Sequence, residues 1–290
     1  MVDLSVDILH WRITLASINT LVEDIYKLLE EGTEADIRED SLAFGHRLAS
    51  LIVDRLRPKE AKRTLRMSNV GKPARMLWYE VNSTVEKEEF NGPTYLKFLY
   101  GDLIEEVVLF LAEVAGHSVS DRQRQVVVSD IVGHIDGVVD GVLIDVKSTS
   151  PHSFKKFKDG TLRNDDPFAY ISQLSGYMHG TGLNDGAYIA VDKQNGNITV
   201  MPLEDADKVD IVKRIEYIKD VVNKDTPPER CFSPEPMGKS GNLKLPAGCS
   251  YCAFKKECWS DVGLRKFVYS TGPVWLTHVE KEPEVPEVEV

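Results

Sequence analysis

The chain has 290 residues, 42% of them hydrophobic and 28% charged, which suits one large globular domain or two small ones with ample length for a core. Nowhere do about 18 apolar residues run in succession, and the opening MVDLSVDILHW lacks a basic segment followed by an apolar one, so the expectation is a cytoplasmic protein with no membrane partner. The net charge of −11 weighs against nucleic acid, but its distribution offsets this: Arg47 to Arg75 holds nine Lys or Arg against two acids, a local +7, whereas Glu280 to Val290 carries five Glu and one Lys.

Leu9, Ile13, Leu21, Ile25 and Leu28 recur at helical spacing, and Leu42, Leu48, Leu51, Ile52 and Leu56 do so again until Pro58. Two amphipathic helices are expected there. Arg55, Arg57, Lys59, Lys62, Arg63 and Arg66 form a basic connector, followed by Lys72, Arg75 and the aromatics Trp78 and Tyr79. A positive rim of this kind, with Lys72 and Arg75, suits a DNA backbone while aromatics stack bases. The plainer reading is a solvated basic helix with Trp78 and Tyr79 in the core. From Tyr100 a helix is expected with Leu103, Val107, Leu111 and Val114 on its apolar stripe and Gly116 at its end. Glu105 and Glu106 then fall in its first turns, where Glu is favoured electrostatically with or without a metal to bind.

Arg122 to Ser129 reads as a strand leading into the stretch GHIDGVVDGVLIDVK, Gly133 to Lys147. Asp140-Gly141 favours a two-residue primed turn, which pairs Val139 with Val142, Val138 with Leu143, Asp136 with Asp145 and His134 with Lys147. Alternation places those last four side chains on one face and Ile135, Ile144 and Val146 on the other. Opposed carboxylates repel unless a cation lies between them. Hard oxygen donors favour magnesium or manganese, with the Val146 backbone carbonyl as a neutral ligand. Lys147 then stands where an ammonium can orient or deprotonate a water and stabilise a phosphate, a combination suited to metal-assisted phosphodiester hydrolysis. An ordinary hairpin with a solvated polar face fits the same residues.

The polar segment from Ser148 to Asp166 reads as a loop whose Lys155 and Lys156 are candidate DNA contacts. Asp166-Pro167 begins a helix that runs through Ile171, Leu174 and Met178, with Gln173 and Tyr177 on one face. Ala187 to Val191 and Asn197 to Met201 form a further hairpin, and Val209 to Val222 a helix. All four cysteines lie close together as Cys231 and then Cys249-x2-Cys252-x5-Cys258, and in a reducing compartment they read as metal ligands. Because there is a single CxxC pair, both structural zinc and a 4Fe-4S cluster stay open. Val262 to Tyr269 is expected to be a last helix, and the acidic, Pro-interrupted tail to be disordered.

Gly101 with Glu105, Gly133-x-x-Asp136, Asp145-Val146-Lys147 and Gln173-x3-Tyr177 follow one another in this order. Together they resemble the PD-(D/E)XK nuclease superfamily, specifically its RecB-like exonuclease branch, which includes phage exonucleases, bacterial recombination nucleases and the iron–sulfur exonuclease of CRISPR spacer acquisition. The resemblance covers roughly Lys72 to Trp259. It implies an α/β fold with a restriction-endonuclease-like mixed central sheet flanked by helices, divided into a helical part at 1–95, a nuclease core at 96–225, a cysteine region at 226–270 and a disordered tail at 271–290. It further implies a DNA exonuclease in which Glu105, Asp136, Asp145 and the Val146 carbonyl hold Mg2+ or Mn2+, Lys147 helps activate water, and Gln173 and Tyr177 position the substrate. Cys231, Cys249, Cys252 and Cys258 would hold the 4Fe-4S cluster, or zinc. The sequence departs from that pattern at Glu105, where the branch usually has His. It departs again at Lys72 to Arg75, which has no cysteine where iron–sulfur members place one, so Cys231 is left to complete the set. A DNA-end-binding or recruitment module with little cleavage is the rival expectation.

Overall fold

A computed structural model describes residues 16–58, 63–84 and 91–289. Leu9, Ile13, Lys59 and Lys62, which entered the readings above, lie outside the described residues.

The central hairpin forms as expected at its tip. Strands β1 (Val119–Ser120), β2 (Gln125–Val128), β3 (Ile131–His134), β4 (Gly137–Val139) and β5 (Val142–Thr149) follow in order, and β4 pairs with β5 so that Val139 faces Val142 and Val138 faces Leu143. Asp140 (φ 50°) and Gly141 (φ 83°) supply the two left-handed residues of a primed turn. Farther from the tip the expectation fails, because the ladder ends at Gly137 opposite Ile144. The Asp136 side chain, not its backbone, takes the Val146 amide, with Oδ2 accepting at 2.7 Å. His134 pairs with Gln125 of β2, not with Lys147. A second primed turn at Ser129 (φ 46°) and Asp130 (φ 64°) makes β2 and β3 a hairpin of their own.

The central sheet runs β1-β4-β5-β6-β7, with β6 at Gly186–Asp192 and β7 at Ile198–Pro202. Only the β5–β6 pairing is parallel, so the sheet is mixed. Every residue of β6 is buried, as a strand covered on both faces must be. Leu143, Tyr188 and Ala190 face α5 (Pro151–Lys158), α6 (Tyr170–Thr181) and α7 (Ile211–Val222), meeting Phe154, Phe157, Leu174 and Ile215. Their neighbours Ile144, Val146, Ile189 and Val191 point the other way, onto Leu21 and Ile25 of α1 (Leu21–Glu31) and Val108, Leu109 and Ala112 of α4 (Gly92–Val114). The mixed sheet flanked by helices is thus as expected. No helix among the described residues is long and apolar enough to cross a membrane.

Several boundaries differ from the sequence reading. The helix α4 begins at Gly92 with an Asn91 side-chain cap and Pro93 in its first turn, so it crosses the expected boundary at 95 and places Glu105 and Glu106 in mid-helix. Its buried face is Val108, Leu109 and Ala112, while Val107 is exposed. The run LIEEVVLFLAEV is apolar on more than one side, so periodicity alone could not choose the buried face. Residues 148–166 hold α5, capped by Ser150 and anchored by Phe154 and Phe157. At the next helix Asp166 does cap, but from a distance: its carboxylate accepts from the amides of Tyr170 and Ile171, and the helix starts at Tyr170.

The C-terminal part carries a second, antiparallel sheet in the order β12-β10-β11-β9-β8, formed by Glu287–Val288, Arg265–Tyr269, Gly272–His278, Leu243–Lys244 and Glu235–Pro236. Residues 265–269 are therefore strand where a helix was expected, with Phe267 turned into the interior. Through residue 289 the tail engages the sheet, since Arg265 ion-pairs with both Glu282 and Glu287 and β12 hydrogen-bonds to Lys266 and Phe267. Acidic composition read as disorder because the basic partner lies far back in the chain.

Between α2 (Arg38–Leu56) and α4, a strap leads into α3 (Ala74–Asn82) and stitches the parts together. Met67 and Val70 are fully buried, and the Met67 amide donates to the Val132 carbonyl at 3.0 Å. Close approach is possible because Gly133 has no side chain: a Cβ there would lie 2.5 Å from Tyr177 Cε1 and 2.6 Å from Met67 Cβ. Gly133→Ala should therefore overpack this junction and destabilise the protein by about 1–3 kcal/mol. Chemical denaturation of the two proteins measures it, and an unchanged midpoint would show that the junction yields freely.

Candidate active site

Strand alternation puts Asp145 and Lys147 on the same face of β5, toward α5 and α6. Asp145 is 1% exposed, and Lys147 Nζ lies 2.6 Å from its Oδ2. The same ammonium sits 4.5 Å from the centre of the Tyr170 ring, a cation–π contact that fixes its direction. Asp136, half-buried, stands at the strand break with one oxygen on the Val146 amide. Glu105 comes from α4, which packs on the opposite face, and its Oε1 accepts from Gln123 Nε2 at 2.7 Å. Gln123 (φ 52°) and Asp121 (φ 54°) hold left-handed backbone conformations in the loop before β2. Arg122 secures that loop by ion pairs with Glu106 and Glu113.

The electrostatics tie these groups into one cluster. Burial pushes Glu105 from 4.5 up to about 7, with the Gln123 hydrogen bond opposing and the negative charge of Asp145 adding to the rise. Asp136 is raised well above the usual carboxylate range by burial and then by Asp145 and Glu105, against the pull of Lys147 and the Val146 amide. For Lys147 burial acts against the charge, but Asp145 and Asp136 outweigh it and hold the ammonium more firmly than usual. Asp145 and Asp136 thus share the Lys147 ammonium, and Glu105 is linked to them through the charge of Asp145.

Among the described residues, no three His, Cys, Asp or Glu side chains are arranged as a ready-made metal site. Asp136 is turned to an amide and Asp145 to Lys147. The donor set nevertheless suits a hard divalent cation, because it is all oxygen and carries surplus negative charge in a recessed site. Val146, whose carbonyl was the expected neutral ligand, lies in the parallel ladder opposite Ile189.

Gln173 Nε2 donates to the Tyr177 hydroxyl at 3.3 Å, joining the two residues of the last motif. Burial pushes that phenol up to about 12, and the charges of Asp145, Asp136 and Lys147 all reach it. The four sequence motifs therefore converge. Two further residues were missed: Gln123, which no motif spacing marks, and Tyr170, which stands one helical turn before Gln173 and was legible on that ground. Two clefts border this region, one at Glu105 and one at Tyr170. One of about 580 Å³ is lined by Glu105, Gln123, Arg122, Arg47 and Arg55. The other, of about 240 Å³, is lined by Tyr170, Ser148, Ser150, Lys156 and Lys193.

The expected DNA contacts fare differently. Lys155 is exposed, with Nζ 3.9 Å from Asp159, and Lys156 borders the smaller cleft while paired with Asp165 at 2.5 Å. Lys72 is half-buried, its carbonyl accepting from Arg214 at 2.5 Å. Arg75 is corrected, because its guanidinium turns inward to Cys258, the Pro228 carbonyl and the Tyr79 hydroxyl. Tyr79 is buried, as the plainer reading expected, and the Trp78 indole donates to the Lys224 carbonyl.

All four cysteines line one cavity, together with Arg75, Arg230 and Lys255. They are free thiols, and burial pushes Cys249 up to about 11 against a hydrogen bond from Trp259. Cys231 is exposed, and among the described residues the four thiols are not arranged as a ready-made metal site.

In metal-free protein the raised Glu105 has a sign that can be tested. The unfolded carboxyl ionises near 4.5 and the folded one near 7, so stability is full below about 4.5 and falls as pH rises through 7. Thermal melts of Glu105→Gln should show a shallower fall between pH 4.5 and 7.5 than the wild type, the remainder coming from the raised Asp136, whereas equal slopes in both proteins would remove the assignment.

No protein-family model matches the sequence, and no curated protein matches it. Among solved structures the chain is similar to a phage-related exonuclease from Haemophilus somnus 129PT, at 18% identity and a TM-score of 0.42, covering 54% of this chain and 92% of that one. It is also similar to an alkaline exonuclease from Laribacter hongkongensis, at 16% identity and a TM-score of 0.39, covering 60% of this chain and 92% of that one. The same alkaline exonuclease in complex with dAMP matches at 17% identity and a TM-score of 0.39, over 60% of this chain and 92% of that one.

Proposed function

We propose that the protein is a metal-dependent deoxyribonuclease that degrades DNA from its ends. The observation that carries this is the cluster itself: Glu105 from a helix, Asp136 from the break between β3 and β4, and Asp145 from β5, in one electrostatic neighbourhood with Lys147 beside the two aspartates. A protein that only bound DNA would gain nothing from burying three carboxylates together, since they repel its ligand.

Glu105, Asp136, Asp145 and the Val146 carbonyl would hold Mg2+ or Mn2+, which supplies Lewis-acid stabilisation of the phosphoryl oxygens and a more acidic water. Lys147 is held in its charged form by the two aspartates, so it serves as a hydrogen-bond donor and a positive charge beside the attacked phosphate. Tyr170 fixes the direction of that ammonium from above. Gln173 and Tyr177, locked to each other, position the strand beside Asp145. Lys155 and Lys156 lie on the far rim, where the backbone beyond the scissile bond can be held. The four cysteines, in this reading, hold a structural metal, as a 4Fe-4S cluster or as zinc.

The assay is hydrolysis of end-labelled single- and double-stranded DNA with magnesium, with manganese and with chelator. Linear DNA should be degraded only with metal, and closed circular DNA should survive. Lys147→Ala should lose about 10²–10³-fold in rate, the size of effect seen when one transition-state donor is removed. Asp145→Ala should fall to background while its circular dichroism stays that of the wild type. Undiminished cleavage by purified Asp145→Ala removes the proposal, and metal-dependent retention of DNA without cleavage favours the binding module.

A further inference from the structure

Trp78 and Tyr79 do not serve as a base-stacking pair, since the Trp78 indole donates to the Lys224 carbonyl and Tyr79 is buried. Another pair of rings stands beside the candidate active site. Phe168 is 55% exposed and stacks on Tyr170, with ring centres 5.4 Å apart and planes inclined by 28°. Tyr170 in turn has its ring centre 4.5 Å from the Lys147 ammonium, so two short steps lead from Lys147 to an open phenyl ring. On the inner side Phe157 meets both Tyr170 and the fully buried Tyr188, which gives the pair a firm backing.

The backbone holds Phe168 in the open. Ala169 adopts a left-handed conformation (φ 60°, ψ 38°) that a residue with a Cβ seldom takes. The Asp166 carboxylate accepts from the Tyr170 and Ile171 amides, and the Asp166 carbonyl accepts from the Ala169 amide at 3.2 Å, so residues 166–171 form a closed turn. Single exposed apolar residues are common. This one is set apart by its stacking partner and by the cleft it lines, which it shares with Tyr170, the hydroxyls of Ser150 and Ser153, and the amines of Lys156 and Lys193. The cleft, at about 240 Å³, is smaller than the ~300–1,000 Å³ usual for a drug-sized ligand, so it suits one flat ring system. An aromatic face, hydroxyls that both donate and accept, and cations at the rim complement the base and the phosphate of a nucleotide. Lys156 is already paired with Asp165, which leaves exposed Lys193 as the rim cation facing solvent.

We propose that this cleft is a nucleobase site, in which one unpaired base close to the scissile bond stacks on Phe168 and extends the row of rings begun by Tyr170. This rests on the reading of the protein as a nuclease acting at DNA ends and adds to it which part of the substrate is gripped. Stacking accepts every base, because each has a flat face, and that tolerance is what removal of nucleotides in succession requires. Phe168 is a binding residue here and takes no part in the chemistry.

The test uses the full-length chain as wild type, Phe168→Ala, Phe168→Leu and Phe168→Tyr, with single-stranded oligonucleotides that carry the fluorescent base 2-aminopurine, or an abasic residue, at successive positions from either end. Binding is followed with calcium in place of magnesium, and cleavage of the same strands with magnesium is measured in parallel. Stacking quenches 2-aminopurine, so the wild type and Phe168→Tyr should dim the probe at one position, whereas Phe168→Ala and Phe168→Leu should not. Both of the latter should bind about tenfold more weakly, the size expected for loss of one base–aromatic stack. An abasic residue at that position should weaken the wild type about tenfold and cost Phe168→Ala nothing further, a non-additivity that general damage to the fold would not produce. Wild-type affinity in Phe168→Ala, or quenching by Phe168→Leu equal to that of the wild type, overturns the base site, while cleavage by the wild type keeps the nuclease reading standing. Additive losses from the abasic residue and Phe168→Ala overturn it as well. A wild type that neither binds nor cleaves these strands overturns the nuclease reading and the base site with it.

Discussion

One hydrogen bond, from the Val146 amide to Asp136 Oδ2, decides where the sheet stops and the site begins. A buried backbone N–H must find an acceptor, and in a continuous hairpin it would find a carbonyl of the facing strand. Here a carboxylate takes it. The facing chain is released at Ile135, so β3 can turn away and pair with β2. The break leaves a wedge at which Asp136 and Asp145 stand on diverging backbone instead of facing each other across a flat ladder. Into the same neighbourhood α4 delivers Glu105 from the other side of the sheet.

The charge in that wedge is the cost of the arrangement. Burial and mutual repulsion raise Asp136 and Glu105, and one ammonium, already close to Asp145, does not balance three carboxylates. Such a site is poor at stabilising a fold and well suited to attracting a small, hard cation. Stability comes from elsewhere: the fully buried Leu143, Ile144, Tyr188 and Ile189 flank Asp145 on β5 and β6. Alternation along β5 and β6 lets packing and chemistry occupy successive positions without interfering.

Sequence reading recovered what is written locally. Asp140-Gly141 announced its turn because left-handed backbone there favours such residues, and the pairing next to it followed. Gln173 and Tyr177 meet because helical spacing puts them on one face. The strand break at Asp136 was not legible, since the alternation of His134, Ile135 and Asp136 reads as continuing strand and cannot reveal that a side chain will replace the backbone as acceptor. The start of α4 was written in Asn91-Gly92-Pro93 but was outweighed by the clearer Gly116 end. The tail and Arg75 failed for a shared reason. Composition shows a charge but not its distant partner, whether Arg265 for Glu287 or Cys258 for Arg75.

That distant pairing also explains how the least apolar part of the chain keeps its shape. Residues 226–258 are rich in Pro and Gly, and few of their side chains are buried, Leu245, Phe254 and Lys255 among them. Arg75 bonds to Cys258 across 183 residues, Ser83 Oγ bonds to Glu257 at 2.7 Å, and the Tyr79 ring stacks on Phe254 at 5.9 Å. All three partners come from α3 and the residue that caps it. The helix is itself fixed by Leu77 packing on Ile218 and Val222, and the strap before it is fixed by Met67 against Gly133. Closing so long a loop costs entropy, which these three contacts together with the seating of the helix on the sheet domain offset. The cysteine region is thus tied to the core through a strap whose seat lies against Tyr177.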